Sequence, residues 1–126
     1  MTFELKLPLL GFESATTMEL EKVDEVFANL KSSDNSLSFT LINPYAIREY
    51  SFDIPISLQS LLGINEKSNL LIYNIMILQN PIEKSTVNFL APIIFNTDNH
   101  TMAQVIIDNR GDFNLAEPIS NFLKDD

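Results

Sequence analysis

The stretch Thr2-Phe-Glu-Leu-Lys-Leu7 alternates polar and apolar side chains without a break. A period of two places alternate side chains on opposite faces of a β-strand, so this stretch predicts a half-buried strand. The same alternation recurs over Met18–Glu21, Leu37–Leu41 and Tyr50–Ile54, and a further strand is expected around Val26–Lys31. Alternation is therefore the main structural signal along the chain.

A second kind of strand signal lies in the middle of the chain. The run Leu70–Leu78 lacks alternation and contains three isoleucines, which predicts a central strand buried on both faces. Thr86–Phe95 and Thr101–Ile107 then predict the two arms of a hairpin, joined by the turn-forming residues 96–100. Pro92 cannot donate to a strand ladder, so it predicts an edge position or a bulge in the first arm.

One short helix is expected over Ser57–Leu62, where leucines recur at helical spacing. Ser57 has a side chain suited to cap the first turn, and Gly63 is suited to end the last one. Seven or eight short strands with one small helix predict an all-β fold, mostly antiparallel, built as a small barrel or a barrel-like sandwich. A length of 126 residues fits one domain spanning residues 1–126.

The charge balance bears on the class of partner. The net charge is −9, and eight basic residues are scattered among seventeen acidic ones. Binding to nucleic acid depends largely on lysine and arginine displacing counterions, so we expect no direct RNA or DNA partner. An acidic surface suits a basic protein partner, although excess acid also simply keeps a protein in solution. Composition alone favours the second explanation.

Residues that carry catalytic or metal chemistry are scarce. The chain has no cysteine, one histidine and three glycines, so thiolate sites and glycine-rich phosphate loops are excluded. His100 belongs to the expected hairpin turn, and a hydrolase that uses it is a remote alternative. We therefore expect no enzyme, metal site or cofactor. Charges at Glu4 and Lys6 argue against a signal peptide, and no run approaches the ~20 apolar residues of a membrane helix, which predicts a cytoplasmic protein.

Three segments together resemble the FliW family of flagellar assembly factors. That family typically shows Leu-Gly-Phe, then Asn-Pro with an aromatic residue, then Asn-Leu-Leu-Ala-Pro. The corresponding segments here are Leu9–Glu13, then Leu41–Tyr45 followed by Tyr50–Pro55, then Val87–Ile93 leading into Asn96. Phe89 replaces the usual leucine and keeps its apolar character.

The resemblance implies a small β-barrel-like protein with two protein partners. One is flagellin, bound in the cytoplasm before export. The other is CsrA, a basic RNA-binding dimer that represses translation of flagellin mRNA. Free FliW binds CsrA and relieves this repression, whereas accumulated flagellin occupies FliW and releases CsrA. The level of flagellin would thus control its own synthesis by mass action.

Two groups of residues are candidates for these contacts. We expect an acidic group to meet CsrA, although a solvated strand face explains these residues equally well: Glu19, Glu21, Asp24 and Glu25. Candidates for the flagellin surface, with turn and bulge formation as the alternative, are Asn43, Pro44, Tyr45, Asn88, Leu90, Ala91, Pro92 and Asn96. The runner-up function is a small-ligand carrier, which a filled barrel interior would exclude. A monomer is expected.

Overall fold

Nine short strands and one helix form the structure, a computed structural model that describes residues 1–7, 9, 16–108 and 113–122. The strands are β1 Thr2–Leu5, β2 Thr17–Lys22, β3 Phe27–Ser32, β4 Ser38–Ile42, β5 Leu70–Ile77, β6 Thr86–Val87, β7 Ile93–Asn96, β8 Thr101–Gln104 and β9 Glu117–Pro118. The helix α1 is Ile56–Leu62, and 3-10 turns cover Pro44–Ala46, Ile82–Lys84 and Ile119–Phe122.

The sheet closes on itself as a barrel. Seven strands follow one another in the order β4-β3-β2-β1-β8-β7-β5, and pairing of β4 with β5 completes the ring. The other two strands extend the sheet outward, because β6 pairs with β5 and β9 pairs with β6. Every pairing is antiparallel except that of β1 with β8. The predicted all-β, mostly antiparallel barrel is confirmed.

Inward-facing side chains of the strands fill the barrel. Phe3, Met18, Leu30, Phe95 and Met102 are completely buried there. The rings of Phe3 and Phe95 meet edge to face with centroids 5.0 Å apart, which is a favourable arrangement of aromatic rings. A packed interior of this kind argues against the ligand-carrier alternative.

Two further apolar clusters cover the outer face of the barrel. Helix α1 packs its buried residues Leu58 and Leu62 against Ile94 of β7 and Ala103 of β8. Beside it, the aromatic side chains of Tyr50, Phe52, Phe89, Phe113 and Phe122 cluster with Met76 of β5 and Ile42 of β4. The irregular segment before α1 and the C-terminal segment therefore act as a second layer on the sheet.

The predicted strand at Tyr50–Ile54 is wrong, because residues 49–55 form no strand. Tyr50 is buried, and Phe52 and Ile54 are half-buried, as the alternation indicates. They pack onto the outer face of the barrel from an irregular segment. Alternation reports which side chains are buried, and here no backbone ladder accompanies it.

The helix prediction is corrected at its start and confirmed at its end. Helix α1 begins at Ile56, one residue before the expected start, and its N-cap is Pro55, with no side-chain cap from Ser57. Gly63 ends it in the left-handed conformation, with φ +65°. A Cβ atom at Gly63 would approach Asn99 Nδ2 to 2.9 Å. Both the backbone conformation and the space favour glycine here.

The hairpin around residues 96–100 is confirmed, with Asn96 opposite Thr101. Its first arm is interrupted, because Thr86–Phe95 divides into β6 and β7 with a bulge over residues 88–92. Pro92 predicts this bulge correctly. Strand β5 is confirmed over Leu70–Ile77, but it is not buried on both faces throughout, since four of its eight residues are half-buried and Ile77 is exposed.

Candidate functional site

A groove of about 830 Å³ opens at one end of the barrel, where β2 and β4 end and β5 begins. We call it the acidic groove. Two groups of predicted contact residues meet in it, because Asp24 and Glu25 line it together with Asn43 and Tyr45. Lys22 also lines it and offsets part of the negative charge. The structure thus places candidates for two different partners at one site.

Asp24 and Asn43 shape the loops at the acidic groove. Asp24 Oδ1 accepts hydrogen bonds from the backbone of Val26 at 2.8 Å and of Phe27 at 2.7 Å. These bonds, that from Phe27 foremost, lower the pKa of the Asp24 carboxyl, which therefore keeps its charge. Asn43 Oδ1 accepts from Tyr45 N at 3.0 Å, and Asn43 Nδ2 donates to Glu25 O at 3.4 Å. The side chain of Asn43 thus joins the two loops.

Tyr45 presents an exposed aromatic side chain at this groove. Its side chain is 52% exposed, and its ring stands edge to face to that of Tyr50 at 6.0 Å. Pro44 is buried beneath it and begins the 3-10 turn. Of the Asn43–Tyr45 segment, the tyrosine is therefore the exposed residue, and the other two position it.

Glu19 and Glu21 lie apart from the acidic groove, on the outer face of β2. Both are exposed, and in the register of β2 with β3 they lie opposite Lys31 and Asn29. The four predicted acidic residues therefore form two pairs, one on the strand face and one at the loop that follows it. All four lie on one strand and the turn after it, but only Asp24 and Glu25 line the acidic groove.

A second groove, of about 540 Å³, opens at the opposite end of β4 and β5. We call it the mouth groove. Its floor includes Leu9, Phe39 and Ile75, which also contact the barrel core. None of its described lining residues carries a charge. Four of its large apolar side chains are more than half exposed, namely Ile77, Leu78, Ile106 and Leu115.

Three of the predicted flagellin contacts, Asn88, Leu90 and Ala91, line the mouth groove. Asn88 Oδ1 accepts hydrogen bonds from Leu90 N and Ala91 N, both at 3.1 Å, which curls the bulge. Pro92 is buried beside them. The polar side chain of Asn88 is thus occupied within the chain, whereas Leu90 presents apolar surface to the groove.

Asn96 lies in neither groove. It is only 1% exposed, its Nδ2 donates to Leu62 O at 2.8 Å, and its Oδ1 accepts from Asp98 N at 3.0 Å. These bonds tie the β7–β8 turn to the end of α1. The turn-forming explanation fits Asn96, since its polar atoms are all directed inward.

A buried polar network anchors the bulge and was not expected from the sequence. Tyr50 Oη donates to Phe89 O at 2.5 Å, and Asn74 Nδ2 donates to Tyr50 Oη at 3.2 Å and to Asn88 O at 2.8 Å. Burial raises the pKa of Tyr50 to about 12. Asn74 Oδ1 is buried without a hydrogen-bond partner among the described residues. An asparagine within an apolar run was the one available signal.

The exposed apolar rim of the mouth groove was also missed. Ile77 and Leu78 belong to the run interpreted as buried on both faces, but that run continues past the last paired residue of β5. The signal available in the sequence was the length of this apolar run, which extends through Leu78 almost to the turn at Pro81. The Leu10–Glu13 part of the first resemblance segment lies outside the described residues.

The described residues offer no group of three His, Cys, Asp or Glu side chains suited to a metal ion. His100 is exposed in the β7–β8 turn with φ +58°, and its Nδ1 lies 3.0 Å from Thr2 O. Its ring stacks on Phe3 with centroids 5.4 Å apart.

Within the described part of the chain, no helix has the length and apolar character needed to cross a membrane.

Known proteins resemble this chain along its whole length. Residues 1–119 match the family described as FliW protein. Flagellar assembly factor FliW 2 of Wolinella succinogenes is 51% identical over 129 residues, covering 100% of this chain and 95% of that relative. Flagellar assembly factor FliW of Sulfurimonas denitrificans is 50% identical over 125 residues, covering 98% of this chain and 99% of the relative.

A solved structure shares the fold. The crystal structure of the flagellar assembly factor FliW superimposes with a TM-score of 0.86 at 23% identity, covering 94% of this chain and 84% of that chain. The sequence match covers the strands that line both grooves. This chain belongs to the FliW family of flagellar assembly factors.

Proposed function

We propose that this chain assists flagellar assembly by binding two protein partners, flagellin and the translational regulator CsrA, rather than by catalysing a reaction. The observation that carries the proposal is a pair of chemically different grooves at opposite ends of the barrel. One is acidic and aromatic, and the described lining of the other carries no charge. Grooves of such different character suit two different partners.

The mouth groove is our candidate for flagellin. Before assembly, the terminal segments of a flagellin are unfolded and expose apolar side chains. Burying them against Ile77, Leu78, Leu90 and Ile106 removes apolar surface from water on both sides, at roughly 25 cal/mol for each Å² buried. Because no described charge lines the groove, no ionised group has to be desolvated.

The acidic surface is our candidate for CsrA, which is basic because it binds RNA. Glu19 and Glu21 on β2, with Asp24 and Glu25 at the groove, present four exposed carboxylates along one strand and its turn. The net charge of −9 adds a long-range attraction for a basic protein. Tyr45, a candidate for the flagellin surface from the sequence, lies beside Asp24 and Glu25, so we now assign its exposed aromatic ring to the CsrA surface.

The two partners together form a regulatory switch in this proposal. When flagellin is scarce, the chain holds CsrA, and flagellin mRNA is translated. When flagellin accumulates, it occupies the chain and lowers its affinity for CsrA. Linkage requires that CsrA lower the affinity for flagellin by the same factor. The grooves lie at opposite ends of β4 and β5, so the coupling would act through the barrel.

Calorimetric titration of the purified chain tests this proposal directly. Monomeric flagellin and CsrA from the same organism are titrated separately and then in the presence of the other protein. We expect each to bind the chain alone and each to weaken the other by the same factor. Absence of binding to both proteins would overturn the proposal, and binding of both with no mutual effect would remove the switch.

A further inference from the structure

Among the described residues, one strand edge of the barrel loses its neighbour at the mouth groove. Pairing of β1 with β8 ends at Leu5 opposite Met102, and in the described part of the chain the bond that follows runs from Lys6 N to Met102 O at 3.0 Å. Residues 105–107 follow β8 without forming a strand of their own, and they remain hydrogen-bonded to the bulge. Val105 N donates to Pro92 O at 3.0 Å, and Ile107 N donates to Leu90 O at 2.9 Å.

These two bonds determine in which direction the backbone N–H and C=O groups of residues 104–107 point. Since the N–H groups of Val105 and Ile107 face the bulge, the N–H and C=O groups of Gln104 and Ile106 face the side that β1 has left. Among the described residues, no backbone group pairs with them on that side. We call residues 104–107 the open edge. Unpaired edges of this kind can accept an additional strand.

Apolar grooves flank the open edge on both faces. The mouth groove lies on one face. On the other face, a further groove of about 450 Å³ lies beside α1 and is lined by Leu7, Leu58, Leu61 and Val105. Gln104 and Ile106 line both grooves, and no described residue of either groove is charged. An added strand directs alternate side chains to opposite faces, so its successive residues would enter the two grooves in turn.

We propose that flagellin binds by strand addition: an extended, uncharged flagellin segment pairs with the open edge and inserts alternate apolar side chains into the two flanking grooves. This inference rests on the proposed function and specifies how its flagellin site works. Main-chain bonds would supply affinity, and the grooves would supply sequence preference. A bound helix would leave Gln104 and Ile106 unpaired, since a helix satisfies its own backbone groups.

The charge of the chain argues for this occupant over a second copy of the chain itself. Two copies paired edge to edge would bring two net charges of −9 together, and like charges oppose association. An uncharged segment of another protein avoids that repulsion.

Amide hydrogen exchange by NMR gives the first test, on the unmodified chain of 126 residues. In the free protein we expect slow exchange at Val105 and Ile107 and fast exchange at Gln104 and Ile106. Addition of flagellin should slow exchange at Gln104 and Ile106 by at least about tenfold, because strand pairing protects alternate amides. Flagellin binding without this protection would overturn strand addition.

The substitution Ile106→Pro gives the second test. It removes the N–H that faces the open edge while leaving the donors of Val105 and Ile107 in place. Ile106→Ala is the matched control, because it removes the side chain and keeps the N–H. Loss of a main-chain bond should make flagellin binding to the proline variant about tenfold weaker than to the alanine variant. Equal affinities of the two variants would contradict the proposal.

Modified peptides keep the question open to test even when the proline variant does not fold. Synthetic peptides from the flagellin terminal segments are N-methylated at one position at a time and titrated into the unchanged protein. Strand addition predicts that methylation weakens binding only at every second residue. Uniform sensitivity would indicate another binding mode. If intact flagellin does not bind the unchanged protein at all, the proposed function itself fails. Peptide binding that is equally sensitive to methylation at every residue would instead overturn strand addition alone.

Discussion

Tyr50 connects the irregular segment before α1 to the bulge beside the mouth groove. Its hydroxyl donates to Phe89 O and accepts from Asn74 Nδ2, and the side chain is only 7% exposed. Removing this hydroxyl leaves the buried carbonyl of Phe89 without this donor and takes away one of the two acceptors of Asn74 Nδ2, which keeps its bond to Asn88 O. Such unsatisfied groups are more costly than the net value of the bonds themselves.

We therefore expect Tyr50→Phe to lower the free energy of unfolding by about 1–3 kcal/mol. Denaturant titration followed by circular dichroism measures this change. Tyr45→Phe is the matched control, because Tyr45 is 52% exposed and its hydroxyl has no hydrogen bond within the described structure. Equal stability of the two variants would show that the buried network contributes nothing.

The same hydroxyl predicts a dependence of stability on alkaline pH. Burial raises the pKa of Tyr50 from its ordinary value of 10.0 to about 12. The folded state therefore favours the neutral phenol, and this stabilisation is complete below pH 10 and is lost as the pH rises towards 12. Between these values, stability should fall more steeply in the wild type than in Tyr50→Phe. Unfolding titrations at several pH values compare the two slopes, and parallel slopes would contradict the expectation.

At the scale of elements, the sequence predicted strands well where one face of a ladder is buried. Strands β1 to β4 and the β7–β8 hairpin follow from alternation and turn residues, because burial of one face imposes a period of two. The segment Tyr50–Ile54 has the same period without a ladder. Its alternate side chains pack onto a sheet that other strands form. The pattern alone cannot separate these two cases, since both bury every second side chain.

The end of α1 offers a test at this scale. Gly63 has φ +65°, and a Cβ atom there would lie 2.9 Å from Asn99 Nδ2. Gly63→Ala should cost about 1 kcal/mol of stability, mostly from the left-handed backbone, because the asparagine side chain can move. Thermal unfolding measures the change. A double-mutant cycle with Asn99→Ala separates the two causes: an unchanged cost indicates backbone strain, whereas a reduced cost indicates the close contact.

At the scale of the whole molecule, closure of the barrel determines where the two grooves lie. Pairing of Thr40 with Met76 and of Ile42 with Asn74 sets β4 antiparallel to β5. Residues after β4 therefore lie at one end of the barrel and residues before it at the other. The sequence identified candidates at both ends, but their separation depends on this long-range register. Alternation fixes which face a residue occupies and contains no information about the strand that will pair with it.

This separation predicts that the two partners respond to different substitutions. Charge reversal at Glu19 and Glu21 to lysine should weaken CsrA binding at least about tenfold at low salt and leave flagellin binding unchanged, because the changed charges lie on β2, away from the mouth groove. The loss should shrink as salt screens the charges. Leu78→Asp should instead weaken flagellin binding and leave CsrA binding unchanged. Leu78 is 54% exposed in the mouth groove, and the substitution places a charge where flagellin would bury apolar surface.

The matched control for the reversal is the double change of Glu66 and Glu83 to lysine. These residues are exposed and line neither the acidic groove nor the mouth groove, and their reversal alters the net charge by the same amount. An equal loss of CsrA affinity in the control would show that only net charge matters. Unchanged CsrA affinity and salt slope in the Glu19 and Glu21 variant would exclude these two glutamates from the contact. A local change at one end of the barrel can directly affect only the partner bound there. If the Glu19 and Glu21 variant and Leu78→Asp each lowered the affinity for both CsrA and flagellin, the two partners would therefore share one surface.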